Sequence, residues 1–287
     1  MNFVVEHRAP SAHVGQWVRA HAGRCHVYRG VLKDSAALRR WSTAELAEQA
    51  GSQRVRVKSY ADGRISVDTV PFGDYVASLT SDQGDRPESR YLHDVPLLEV
   101  FPDARGLVGD IPAGFVPRWY ADGWERFAQL FIGPAGARTP FHFDCLLTHN
   151  SFFQVDGTKR FYLVPARYRT ASYLRDWRWS QVDAARPDLA AFPEFTGVPV
   201  HQVDVGPGDV LYMPPGTLHQ VHSLTASVSF NIDWHTRTSV LTALAAAYRG
   251  MPAENTRYNL MIAGGLFGRG RPHEVLRRYG SYLSYVS

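Results

Sequence analysis

The chain contains only two cysteines, Cys25 and Cys145, among 287 residues. Two thiols build no disulfide framework, and they suit a reducing compartment such as the cytoplasm. No stretch approaches the roughly 18 uninterrupted apolar residues of a membrane span. The opening Met1-Asn2-Phe3-Val4-Val5-Glu6 lacks a basic segment followed by an apolar one, so no export signal is expected. There is no run of five like charges, no internal repeat and no low-complexity linker. The net charge of +4 is mild for this length and is read as solvated surface, which argues against nucleic acid as a partner. Lysine is scarce: of 31 basic residues only Lys33, Lys58 and Lys159 are lysines, which draws attention to where those three stand.

What is present is enough for one sizeable core, with 45% hydrophobic and 20% charged residues. Helical periodicity runs over 35–50 and returns near 96–104. Alternation predicts strands over 53–59 and 64–70 around Asp62-Gly63, with a short helix opening at Pro71-Phe72 and a polar loop over 81–90. From about 126 the pattern turns to β, with strands expected near 126–133, 139–145, 150–156, 158–164, 199–205, 209–214, 217–224 and 226–234. Eight short strands with tight turns predict a mainly β fold with flanking helices, built on a jelly-roll (double-stranded β-helix) core. A single domain is expected over 1–287. It comprises an α/β flank (1–125), the core (126–236) with an insert near 165–198, and C-terminal helices (237–287), read over Thr238–Arg249 and Pro272–Leu283.

The stretch His142-Phe143-Asp144 carries the chemistry. Alternate residues of a strand share a face, so His142 and Asp144 point one way while Phe141 and Phe143 point the other. A carboxylate buried beside an imidazole is costly unless paired or bound to a metal. His219 follows 75 residues later, inside Pro214-Pro215-Gly216-Thr217-Leu218-His219, where a strand–turn–strand returns it to the same interior. Two imidazoles and one carboxylate leave coordination positions open, the pattern of non-heme Fe(II) oxygenases; the donor types also suit Mn(II), Co(II) or Zn(II). His149, His201, His222 and His235 are rival ligands, read instead as surface or supporting residues. Strand parity turns Cys145 away from the metal.

Asp156-Gly157 between two apolar runs signals a two-residue hairpin. In that register Gln154 opposes Lys159, and Lys159, Phe161 and Leu163 share a face with Asn150, Phe152 and Gln154. A buried ammonium there needs an anion or must give up its proton, and a bound dicarboxylate would serve.

TPFHFD (139–144), NSFFQVDGTKRFYLVP (150–165) and VGPGDVLYMPPGTLHQV (205–221) closely resemble the JmjC/cupin-like 2-oxoglutarate oxygenases. The resemblance is to their small hydroxylase branch, which includes the asparaginyl hydroxylase of hypoxia-inducible factor. It implies Fe(II) on His142, Asp144 and His219, with 2-oxoglutarate and O2 as cosubstrates. It implies that Lys159 and Thr139 bind the distal carboxylate of 2-oxoglutarate, that Asn150 and Asn231 contact the cosubstrate, and that Tyr91 reaches the same carboxylate. The implied activity is a dioxygenase that hydroxylates a protein or peptide side chain. A free amino acid, natural product or modified tRNA base stays open as substrate, as does N-demethylation; a cupin enzyme without 2-oxoglutarate and a silent scaffold are the rival classes. A homodimer through the C-terminal helices is a further expectation. Two features depart from the family pattern: two extra residues lie between Asp144 and Asn150, and Thr217-Leu218 stand where a bulky aromatic is usual. Trp177, Trp179, Arg175 and Arg178 of the insert either line the substrate entrance or pack a small core of their own.

Overall fold

A computed structural model describes residues 3–7, 23–49, 51–61, 64–80, 90–268, 270 and 275. The expected loop at 81–89, the turn at Asp62-Gly63 and nearly all of the helix expected over Pro272–Leu283 lie outside them.

The chain opens with strands β1 (Val4–His7) and β2 (Cys25–Tyr28). The helix expected over 35–50 is two helices, α1 (Ala37–Arg40) and α2 (Thr43–Gln49). The break falls at Trp41-Ser42, where the Ser42 hydroxyl accepts from the Glu45 backbone N–H at 3.2 Å and so starts a new helix. Strands β3 (Arg54–Ala61) and β4 (Arg64–Pro71) pair antiparallel as a separate ribbon, followed by α3 (Phe72–Thr80). Strand β5 (Leu92–Pro96) leads into α4 (Leu97–Val100) and α5 (Ala104–Val108). These two replace the single helix expected near 96–104, because Pro102 disfavours helical backbone at Phe101. After α6 (Arg118–Ala121) come β6 (Ala128–Gly133), β7 (Arg138–His142), β8 (His149–Asp156) and β9 (Lys159–Val164). The insert carries two short strands, β10 (Leu174–Arg175) and β11 (Trp179–Ser180). Strands β12 (His201–Val205), β13 (Val210–Met213), β14 (Leu218–Ser223) and β15 (Ser227–Trp234) complete the core. Two helices follow, α7 (Arg237–Ala245) and α8 (Ala253–Phe267); the second was not legible in the sequence.

The strands form two facing sheets, the jelly roll expected. The larger runs β1-β2-β13-β8-β15-β6-β5 and the smaller β10-β11-β7-β14-β9-β12. The larger sheet therefore recruits three strands from the first 125 residues.

The expected β8–β9 hairpin does not form. β8 pairs with β13 and β15, whereas β9 pairs with β12 and β14. Asp156-Gly157 is instead the corner at which the chain crosses from one sheet to the other. Gln154 braces it, donating from Nε2 to the carbonyls of Asp156 (2.6 Å) and Gly157 (3.1 Å). The inner residues of β8 and β9 consequently face each other across the sandwich, with the Phe152 and Phe161 rings 5.0 Å apart. Gly157 has φ +69°, and a Cβ there would lie 2.0 Å from the Ala226 carbonyl oxygen. Gly157→Ala is therefore expected to lower stability by about 2 kcal/mol or more, read as a lower urea midpoint at unchanged m-value.

Candidate active site

His142 ends β7, and Asp144 follows on irregular backbone that leaves the sheet. The alternation expected for this pair holds: Phe141 and Phe143 pack into an apolar cluster with Leu147, Val164 and Leu218, while His142 and Asp144 line a pocket between the sheets. His219, on β14, lies directly across from His142 in the ladder. One ligand atom from each of His142, Asp144 and His219 falls within 4.8 Å of the others.

The imidazoles are oriented by backbone. His142 Nδ1 lies 2.7 Å from the Pro140 carbonyl and His219 Nδ1 lies 3.2 Å from that of Thr217. A carbonyl only accepts, so each Nδ1 carries the proton and each Nε2 keeps its lone pair for a metal. Burial, together with His219 and Arg178 nearby, holds His142 well below the ordinary histidine range, so it is neutral at physiological pH. Asn150 donates from Nδ2 to Asp144 Oδ2 at 3.2 Å.

Thr139 and His142 differ in parity, yet both line the pocket. Their ladder partners explain this. His142 faces His219 and Thr139 faces Val221, so three steps on β7 match two on β14. This bulge re-aims one side chain next to the site. Exposed Pro140 sits within it, lacking the N–H that a regular ladder would need.

Lys159 is fully buried. Its Nζ donates to the Tyr91 hydroxyl and the Ser229 hydroxyl, each at 2.7 Å. The rings of Tyr91, Phe131 and Phe152 surround it at 5.2 to 5.4 Å. No described carboxylate pairs with it, and burial pushes its pKa down to about 7. The buried position expected for Lys159 is thus observed, although facing sheets create it and not a hairpin. Tyr91, Asn150 and Asn231 line the same pocket as Lys159 and Thr139. The side-chain oxygens of Asn150 and Asn231 are buried without a partner.

Other expected residues fall elsewhere. His149 stacks on Trp234 and bonds to the Tyr212 hydroxyl, and His235 bridges Ser239 and Asn259; both are buried core histidines, not surface ones. His222 contacts the Gln220 side chain, and the ring of His201 lies 5.4 Å from that of Phe3. Cys145 packs in an apolar core cluster and stands outside the clustered ligand atoms, as expected, although β7 stops before it and it also contributes to the pocket lining. The insert packs apolar residues and also reaches the pocket. Tyr168, Tyr173, Val182 and Phe195 contribute to an apolar cluster, while Arg178 reaches the pocket and the Trp179 ring lies 4.8 Å from that of His142. Trp177 packs edge-on against Phe143, and Arg175 is exposed.

Sequence reasoning missed Ser229 and Asp233, although they share strand parity with Asn231 and that signal could have found them. It also missed Asp94, delivered by a β5 irregularity with φ +58°. Burial opposes ionisation of Asp94, but His93 and Lys58 hold its pKa below the usual carboxylate range. Asp233 goes the other way: burial and the charges of Asp144 and Asp94 raise it well above that range.

Residues 20–239 match the model of the cupin-like domain. The chain belongs to that family. Among cupin-like relatives, it is 38% identical over 111 residues to HSPB1-associated protein 1 of Rattus norvegicus, an overlap of 36% of this chain and 23% of that one. It is 28% identical over 242 residues to Jumonji C domain-containing protein 5 of Drosophila melanogaster, covering 79% of this chain and 58% of the relative. It is 27% identical over 154 residues to the 2-oxoglutarate and iron-dependent oxygenase JMJD4 of Gallus gallus, covering 50% and 35%. This cupin-like chain thus spans less than two thirds of the length of each.

The Lys159 ammonium has a measurable consequence in the ligand-free protein. An unfolded lysine keeps its proton to about pH 10.4, whereas the folded one releases it near pH 7. Between these values the unfolded state binds the extra proton, so the cost of burying Lys159 is full below pH 7 and fades as pH rises. Lys159→Met removes the charge at similar length. Its stability relative to wild type is expected to be most favourable below pH 7 and to decline toward pH 10, measured by urea unfolding across that range.

Proposed function

We propose that this chain is an Fe(II)- and 2-oxoglutarate-dependent oxygenase that hydroxylates a protein or peptide side chain. The single observation that carries the proposal is the meeting of His142, Asp144 and His219 with the buried Lys159 ammonium in one pocket. The residues fit the groups the reading requires. Two imidazoles and a carboxylate with no thiolate suit Fe(II) and leave open positions. An ammonium held by two hydroxyls, with no counter-ion among the described residues, suits the distal carboxylate of 2-oxoglutarate.

When bound, iron, 2-oxoglutarate and O2 together supply the oxidising power that breaks a substrate C–H bond. The protein's part is binding and alignment. In this reading His142 and His219 offer Nε2, and Asn150 steadies the Asp144 carboxylate. Lys159, Tyr91, Thr139 and Ser229 anchor the far end of the cosubstrate, with Asn150 and Asn231 beside its path. Arg178, Asp94 and Asp233 then face the entering substrate. The family match supports this activity, and one relative carries it in its name. Two buried free thiols suit a reducing, cytoplasmic setting. Exposed Leu241, Tyr248 and Leu260 on the C-terminal helices support self-association there, which sedimentation of the wild type against a Leu241→Glu, Leu260→Glu variant would test.

Incubated with Fe(II), 2-oxoglutarate and a peptide library, the protein should release succinate and add one oxygen atom to its substrate. His142→Ala and Asp144→Ala should each abolish turnover while the far-ultraviolet circular dichroism is kept. Lys159→Ala should raise the 2-oxoglutarate concentration needed by at least tenfold with iron still bound. Failure of calorimetry to detect 2-oxoglutarate binding to the Mn(II) form would refute the proposal.

A further inference from the structure

We infer that Asn255 and Asn259, on α8, are positioning residues for Asp144. The inference rests on the metal site proposed above but concerns a different part of the molecule.

The segment after Asp144 is unsupported by either sheet. β7 has ended at His142 and β8 begins at His149. Leu147 closes a turn by donating to the Asp144 carbonyl at 2.9 Å, and it does so at φ +58°, a left-handed conformation that a leucine rarely adopts. The carbonyls of Cys145 and Leu146 therefore point out of the turn into protein, where each needs a donor.

Helix α8 provides them. Asn255 donates from Nδ2 to the Cys145 carbonyl at 3.1 Å, and Asn259 donates from Nδ2 to the Leu146 carbonyl at 3.2 Å. The i, i+4 spacing puts both amides on one helix face, one turn apart, matched to successive carbonyls. The Trp177 indole adds a second donor to Cys145 at 2.9 Å. Asn259 is itself fixed: His235 Nε2 donates to its Oδ1 at 3.1 Å, and His235 directly follows β15. The clamp thus ties the Asp144 turn to the far end of the strand that carries Asn231 and Asp233.

Packing alone does not explain these residues. Asn255 and Asn259 are 1% and 0% exposed, on a face that also buries Tyr258, Ile262 and Leu266. Asparagine is a mediocre helix former, and a buried amide costs free energy unless it is hydrogen-bonded. The Asn255 side-chain oxygen has no partner at all, so its amide group is retained there for the single bond it donates. A leucine would serve the core better and leave the Cys145 carbonyl with one donor fewer. The consequence for a metal site is direct. His142 and His219 are held in paired strands, whereas Asp144 depends for its placement on this turn and on the Asn150 contact.

The test compares Asn255→Ala, Asn259→Ala and the double variant with Ile262→Ala. The last deletes buried apolar atoms from the same helix face without touching the clamp. Two measurements are made on each full-length protein: amide hydrogen exchange of the peptide spanning 143–148 in the metal-free form, and affinity for Co(II), read from its visible absorption. The Asn variants should exchange that peptide at least tenfold faster and bind Co(II) on the order of 10–100-fold more weakly, while Ile262→Ala changes neither beyond its loss of overall stability. Asn255→Ala, which removes one bond, should retain the fold if the double variant does not. Unchanged exchange at 143–148, or equal loss of Co(II) affinity in Ile262→Ala, would overturn the inference. If wild-type protein takes up no Co(II), the metal reading of the pocket fails, and the exchange comparison still decides whether α8 holds the turn.

Discussion

The Lys159 ammonium, fully buried and with no carboxylate among the described residues to answer it, anchors one end of the pocket. Lys159 begins β9 immediately after the chain crosses between the sheets, and its Nζ rests on two hydroxyls inside three aromatic rings. Hydroxyls stabilise a charge less than an ion pair does, and the rings exclude the water that would otherwise solvate it. Burial accordingly pulls its proton affinity down to the physiological range. Such a group is poised to gain from an anion: a carboxylate that arrives restores the proton and is held by it. The fold's other features near this point, the Gly157 corner and the bulge that re-aims Thr139, set the groups that surround Lys159.

The half of the pocket that holds His142, Asp144 and His219 follows a different logic. Its imidazoles need no unusual environment, only orientation, and carbonyls two residues upstream of each histidine supply it. Rigid pairing of β7 with β14 then sets the separation of the two rings, whose centroids lie 4.3 Å apart. The carboxylate is the less constrained partner because it stands beyond the end of its strand. The opposed behaviour of Asp94 and Asp233 adds to this asymmetry. One carboxylate is held ionised by neighbouring cations, while in the other burial and the charges of Asp144 and Asp94 outweigh Arg178 and favour the proton.

Much of this was legible because it depends on short-range periodicity. The parity of His142 with Asp144 needs only a strand, and the return of His219 needs only a turn at Pro214-Pro215-Gly216. The interior position of Lys159 was also legible, but by a wrong route. Asp156-Gly157 encodes a bend with positive φ, and the bend is there. Nothing local states whether the strands on either side of a bend pair with each other or with distant partners. The same limit hid Asp94, whose presence in the pocket depends on a β5 irregularity, and left Arg178 between two readings until the docking of β11 against β7 placed it. Ser229 and Asp233 were within reach of parity, since they flank Asn231 at the same spacing.

Helix α8 was illegible for a reason connected to the site. Its inward face interleaves Asn255 and Asn259 with Tyr258, Ile262 and Leu266, and Gly264-Gly265 interrupts the far end. A face that mixes amides with apolar residues gives a weak periodic signal, so within the helical tail expected from 237 no separate element stands out here. The residues that blur the pattern are the ones that bond to the Asp144 turn. Local rules fail most readily where a position has been given a task other than packing, and here the failure marks the contact between the C-terminal helices and the one side chain of the His142–Asp144–His219 cluster that the sheets do not fix.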